Sequence, residues 1–429
     1  MPRLTEDQLI RRLYDRFGFG AAAQELTEAR RAGWRATRTV LLPGTDRGGN
    51  PPATPAPDLA PYRRLGKDAD PAEKKARRQQ LRQDRTELVS WWLDRMTTTA
   101  DPVAERLTWF WHGHFATSLQ KVRDPRLMLA QNETLRRSGR GDFRELARAM
   151  IIDPAMLIWL DGNDNTAKAA NENLAREFLE LFTLGHGNYS EADIKEAARA
   201  LTGWTVNRKT GIAKLKAKQH ATGDKTILGR TADFDARGFV DHVVAQPACA
   251  RYLIDRLWFR LVAAEPPDDA ARERLTEAYG PGRDITAVLT AITEEPAFAE
   301  SATTLIKQPV EWCVGLLRAV GVRPTELEPQ QQRKLITLLK GMGQQPFLPP
   351  SVGGWPAGPA WLSTAAARSR IEVATMIGKA AADELAAADP VQVLGLDRVS
   401  QRTAAAIKEA PKPIRLAVAA CSPEYVVSL

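Results

Sequence analysis

Two of the five histidines in this 429-residue chain stand one residue apart inside an aromatic run, Leu107-Thr108-Trp109-Phe110-Trp111-His112-Gly113-His114-Phe115. A run this apolar lies against a core, where an unpaired imidazole is costly. On a continuous α-helix, neighbours at i and i+2 point about 200° apart, whereas extended backbone turns them to the same side. Gly113 between them lets the preceding helical turn unwind. The spacing therefore predicts that His112 and His114 chelate one metal ion, neutral imidazole being the commonest nitrogen ligand. The plainer alternative is two unrelated packing residues.

Composition sets wide bounds. A hydrophobic content of 44% with 26% charged residues is ordinary for a globular protein, and the length suffices for a large core. There is no uninterrupted apolar stretch long enough to span a bilayer. The start, Met1-Pro2-Arg3-Leu4-Thr5-Glu6-Asp7, lacks the apolar core of a secretion signal, so a cytoplasmic location with no membrane partner is expected. Cys249, Cys313 and Cys421 form no Cys-x-x-Cys and read as isolated buried thiols. The net charge of +8 comes from 60 basic against 52 acidic side chains, a mild surplus. Its densest cluster, Lys74, Lys75, Arg77, Arg78, Arg82 and Arg85, is interleaved with Glu73, Asp84 and Glu87. That mixture reads as a solvated helix with i, i+4 pairs rather than a nucleic-acid surface. Walker loops, dinucleotide fingerprints and nucleophile elbows are absent, so no nucleotide cofactor is expected.

Helical signals dominate the chain. Asp7 to Phe17 and Ala22 to Arg31 read as short helices separated by Phe17-Gly18-Phe19-Gly20. Gly44 to Pro61 is a proline- and glycine-rich loop. Asp70-Pro71 opens a long helix running to about Met96, and further helices are expected at 102–111, 124–138 and 142–152. Asn171 to Leu184 carries Leu174, Phe178 and Leu181 at helical spacing. Ser190 followed by Asp193 caps a helix from Glu191 to Leu201. Residues 204–229 break the pattern as an irregular or β-hairpin excursion, and helices resume from about Phe239. The fold class expected is mostly α: one compact multi-helix assembly over 1–429, a single helical domain containing that excursion.

Asn173, Glu177 and Glu180 share one helical stripe beside the apolar Leu174, Phe178 and Leu181, which pulls the acids inward. Two inward carboxylates suit metal ligation or acid–base work. The alternative is an Arg–Glu surface network through Arg176. His220 lies in the excursion ahead of Gly223, Asp224 and Lys225, as a ligand or simply solvated. His186 reads as a helix C-terminal cap, and His242 as structural. Gly353-Gly354-Trp355-Pro356 forms a rigid aromatic loop, either a pocket wall or a packed connection.

Taken in order, several strings resemble the bacterial family called "domain of unknown function 1800". They are Arg16 to Gly20, Trp111 to Phe115, Asp153 to Met156, Asn171 to Gly185, Ala198 to Trp204, His220 to Lys225, Ile306-Lys307-Gln308-Pro309 and Gly343-Gln344 through Trp355-Pro356. They cover nearly the whole chain. The resemblance implies that His112, His114, Glu177, Glu180 and His220 occupy motif positions, whereas His186 and His242 do not. The family pattern resembles His-Asp-x-Gly-x-Lys, but here Ala221 follows His220, and Asp224 is the candidate replacement. Many relatives carry export signals; this start does not.

Three functions compete. The leading expectation is a metal-dependent enzyme in which His112, His114, Glu177 and His220 bind a transition metal ion, with Glu180 and Lys225 catalytic. Iron or copper would support oxygen-dependent oxidation, and zinc or manganese hydrolysis. Arg176, Asn173 and Trp355 would orient a small-molecule or peptide substrate, an anionic one included. The second is a metal-free hydrolase or lyase with Glu177 and Glu180 as acid and base. The third is a non-catalytic partner protein.

Overall fold

Buried apolar side chains gather in two large clusters and one small one, and the helix carrying both histidines is the wall between the large two. The computed structural model describes residues 2–42, 54–61, 65–66, 68–382, 385 and 388–428. Most described residues are helical, and the strands form three two-stranded antiparallel sheets. Among the described residues, no helix is long and apolar enough to cross a membrane.

The elements that build the site follow in chain order: α1 (Glu6–Phe17), α2 (Pro71–Thr98), α3 (Pro102–His114) and α4 (Asn173–Glu177), which runs on into a π-helix at Phe178–Thr183. Then come α5 (Glu191–Ala200), two hairpins β1 (Trp204–Asn207) with β2 (Ile212–Leu215) and β3 (Lys225–Ile227) with β4 (Arg230–Ala232), and α6 (Pro247–Leu261). Finally β5 (Leu305–Ile306), α7 (Pro309–Val320) and β6 (Val427–Ser428) bring the C-terminus back onto β5.

Side-chain capping starts these helices where the sequence signals it. Asp70 accepts from the Ala72 amide ahead of Pro71, Asp101 from Ala104 ahead of Pro102, and Ser190 with Asp193 closes a capping box on α5. Each such cap is worth about 1 kcal/mol. The excursion after Trp204 is two short hairpins and extends to Ala232, beyond Gly229. Of the loop from Gly44 to Pro61, residues 54–61 hold no helix or long strand, and the remainder lies outside the described residues.

The largest departure concerns α3. It does not end at Trp111 but continues through Gly113 to His114, so the expected unwinding does not occur. Val103, Leu107 and Trp111 enter the first cluster with Phe178, Phe182 and Leu257. Trp109 enters the second with Trp92, Phe347 and Trp355. Gly113 serves close approach rather than unwinding, because the loop at Gly354 rides directly on its carbonyl.

A Cβ on Gly354 would stand 2.3 Å from the Gly113 oxygen, and its φ of +79° already disfavours a side chain. A Cβ on Gly113 meets only the Trp355 ring, at an ordinary 3.8 Å. Gly354→Ala should therefore cost about 2–3 kcal/mol in urea denaturation. Gly113→Ala should be neutral or gain up to about 1 kcal/mol of helix propensity. Equal losses at the two positions would contradict this packing.

Candidate active site

Helical continuity sends the two imidazoles into different cores. His112 lies among Trp92, Trp109, Phe347 and Trp355, and the Phe347 amide donates to its Nε2 at 3.0 Å. Its proton therefore sits on Nδ1. His114 lies among Phe110, Trp111, Phe115 and Tyr252, and its Nε2–H donates to the Phe182 carbonyl at 2.9 Å. Its Nδ1 lone pair is buried with no hydrogen-bond partner. Burial holds both rings neutral, each pushed down to about 3, with the nearby Arg256 adding to the effect at His114.

His220 belongs to a third setting. Its Nδ1 faces the Thr202 carbonyl at 2.9 Å. Lys225 is 1% exposed, and its ammonium donates to Asp233 at 2.6 Å and to the Gly223 carbonyl at 2.9 Å. Asp233 is held low first by the Lys225 bond, with His220 contributing. The carboxylate facing His220 and Lys225 is therefore Asp233 rather than Asp224. The β3–β4 register pairs Lys225 with Ala232, next to Asp233. Among the described residues, no three His, Cys, Asp or Glu side chains are grouped to hold a metal ion. The set His112, His114, Glu177 and His220 does not fit one coordination centre in this arrangement.

Glu177 and Glu180 do come together, at the junction of α4 and the π-helix. Glu180 accepts a hydrogen bond from the Tyr189 hydroxyl and meets His186 Nδ1 at 3.2 Å. His186 thus pairs with an acid rather than capping the helix, and Asn188 instead donates to the Leu184 carbonyl at 2.9 Å. Glu177 is half-buried; burial and then the charge of Glu180 push its carboxyl up, against Arg176 and His186. π-turns are rare and gather at functional sites. Here the Leu181 and Phe182 carbonyls, left without partners at the helix end, accept from Tyr252 at 2.8 Å and from His114. Arg176 is taken by Glu172 and by both oxygens of Glu191, and Asn173 donates to the Leu160 carbonyl. Neither faces the acid pair as a free ligand-binding group.

Tyr252, Arg256 and Arg260 stand at i, i+4 and i+8 along α6, one stripe of that helix. The phenol of Tyr252 lies within the electrostatic reach of both Glu180 and Arg256. Arg256 and Arg260 then line a cavity between α3 and α6, with Trp355 and Gly113 on its wall. A second, larger cavity adjoins it, sharing Arg106, Arg260, Gln308 and Glu311 and adding Arg16 and Lys307. Trp355 is thus a cavity wall, stacked on Trp109 with ring centroids 5.0 Å apart.

A family model described as "Protein of unknown function (DUF1800)" matches residues 12–427. The chain belongs to that family. No curated protein and no solved structure matches it. Of the strings that carry the likeness, Arg16, Gly113, Lys307, Gln308 and Trp355 reach the two adjoining cavities. No role falls to Arg106, Arg256 or Arg260 in the sequence reading; arginines at i, i+4 on a helix rich in apolar residues were the available signal.

Two measurements follow from the geometry. Purified untagged protein should carry iron, copper, manganese or zinc at well below one ion per chain. One ion per chain, lost in His112→Ala and in Glu177→Ala, would show that these side chains share a centre after all. The second concerns acid. The unfolded chain protonates its histidines below about pH 6.5, whereas folded His112 and His114 stay neutral to about 3. Stability present above pH 6.5 is therefore lost progressively as pH falls. Asp153 works the other way, because burial raises its carboxyl to about 6 and the folded state takes up that proton first. Between pH 7 and 5 the two rings cost about 4 kcal/mol and the carboxyl returns about 1 kcal/mol. The urea midpoint should be lower at pH 5 than at pH 7; a flat or rising profile would contradict the burial of neutral imidazoles.

Proposed function

We propose that the protein is an acid–base enzyme of hydrolase or lyase type, acting on an anionic small molecule or peptide at Glu177 and Glu180. The observation that carries this reading is the asymmetry of the pair. Glu180 is anchored by Tyr189 and His186, whereas Glu177 has its carboxyl pushed up by burial and by Glu180's charge. Two carboxyls whose surroundings differ in this way divide into base and acid. Glu180 takes the proton from the attacking water, or from the substrate carbon in an elimination. Glu177 delivers a proton to the leaving group, and exchange with solvent restores both.

Arg256 and Glu180 each act electrostatically on the Tyr252 phenol, which favours a substrate whose negative charge is held on the Arg256 side while its reactive end lies at the carboxylates. Metal-assisted oxidation, the other chemistry that the sequence suggests, has less support from this geometry. His112 Nε2 is already an acceptor for a backbone amide, and His220 turns to Thr202.

Turnover is testable without knowing the substrate. Wild-type protein incubated with a cell metabolite extract should deplete one or more anionic compounds, followed by mass spectrometry. Glu180→Gln and Glu177→Gln should slow that depletion by about 10²–10⁴-fold. Depletion at the wild-type rate by either variant would overturn the reading. Independently of activity, carbon-detected titration of Glu177 should show its pKa falling in Glu180→Gln, because a neighbouring negative charge is removed. An unmoved Glu177 would show that the two carboxyls do not communicate.

A further inference from the structure

We infer that the paired cavities between α3 and α6 form a binding site for a doubly charged oxyanion group, such as a phosphate, carried on a flat apolar body. As substrate recognition this rests on the acid–base reading above, while as a binding site it stands on its own geometry.

Charge is the first argument. The two cavities are lined by five cationic side chains, Arg16, Arg106, Arg256, Arg260 and Lys307, against two carboxylates, Asp15 and Glu311. The carboxylates are already committed, Glu311 to Arg106 and Asp15 to Lys307 at 2.9 Å. Arg16 bonds carbonyls, among them Val262 at 2.7 Å, and Arg260 donates to the Trp355 carbonyl at 3.1 Å. These carbonyls satisfy N–H groups without cancelling charge. Burial accordingly holds Arg16 well below its ordinary value and Arg260 down to about 10, and the like charge of Arg256 adds to the second shift. Asp15 and Glu311 offset only part of this burial; excess positive charge out of water is unfavourable, and an anionic ligand relieves it.

Unused donors are the second argument. The Arg256 Nε and Trp355 Nε1 are buried without a hydrogen-bond partner, and both residues line the smaller cavity. Buried donors seldom remain unmatched, and an oxyanion accepts from guanidinium and indole alike. Shape supplies the third. Leu107, Phe110, Leu257 and Leu261 form the apolar remainder of the lining.

The test uses the full-length protein at pH 7 and calorimetric titration with phenyl phosphate, benzoate and phenol. Phenyl phosphate should bind at least tenfold tighter than benzoate, and benzoate tighter than phenol. Arg256→Gln and Arg260→Gln should each weaken phenyl phosphate about tenfold, and inorganic phosphate should compete. Equal affinity for the three compounds, or wild-type affinity in Arg256→Gln, would overturn the inference. Should Arg260→Gln unfold through loss of its carbonyl bond, Arg256→Gln decides alone. Glu177→Gln separates the two proposals: it should bind phenyl phosphate normally while losing turnover. Failed binding in wild-type protein that still depletes its substrate removes this site only. Normal binding with undiminished Glu177→Gln turnover removes only the acid–base reading.

Discussion

The rest of the structure depends on α3 remaining helical through Gly113. Because the helix continues, Trp109 goes to one core and Phe110 and Trp111 to the other, and the histidines are divided in the same way. Each imidazole then satisfies a backbone group of a different segment, His112 the amide of Phe347 and His114 the carbonyl of Phe182. A loop and a π-helix far apart in sequence are thereby pinned to opposite faces of one helix. Gly113 and Gly354 complete the arrangement, the first presenting a carbonyl and the second approaching it without a Cβ. The same contact sets Trp355 against Trp109 and closes one wall of the α3–α6 cavity.

A second constraint is the price in solvation of placing so many guanidinium groups beside these cores. The chain meets it mostly with backbone carbonyls. Arg12 donates to Phe298, Glu300 and Thr303, Arg16 to Leu261, Val262 and Thr303, and Arg260 to Trp355. Such bonds fix side-chain geometry while leaving net positive charge in place. Arg256 differs from these three in having a buried Nε without a partner. It lines the cavity and shares one stripe of α6 with Tyr252, whose phenol both Arg256 and Glu180 act on.

Much of the fold was legible because helix starts are local events. Asp70-Pro71 and the Ser190–Asp193 capping box are set by neighbours within one turn, and the structure places helices behind each. The burial of Cys249 and Cys313 also follows from their apolar surroundings. What was illegible depended on distant partners. Gly113 permits unwinding as readily as close approach, and only the Gly354 loop decides between them. The acid stripe was correctly placed beside an apolar stripe, but the π-turn that brings Glu180 to Tyr189 and His186 arises from tertiary carbonyl contacts. Asp233 was missed because hairpin register, not sequence spacing, carries it to Lys225. Arg176 showed both of its possible uses in sequence, and the nearby Glu191 drew it into the surface network.

α3 holds His112 and His114 as neutral rings in separate cores, and their protonation can be read directly from their nitrogens. Long-range proton–nitrogen correlation spectra of histidine-labelled protein distinguish the tautomers. His112 should carry its proton on Nδ1 and His114 on Nε2, with neither ring charging between pH 8 and 5. A shared tautomer, a metal-shifted nitrogen, or titration near the ordinary histidine value of about 6.5 would contradict it.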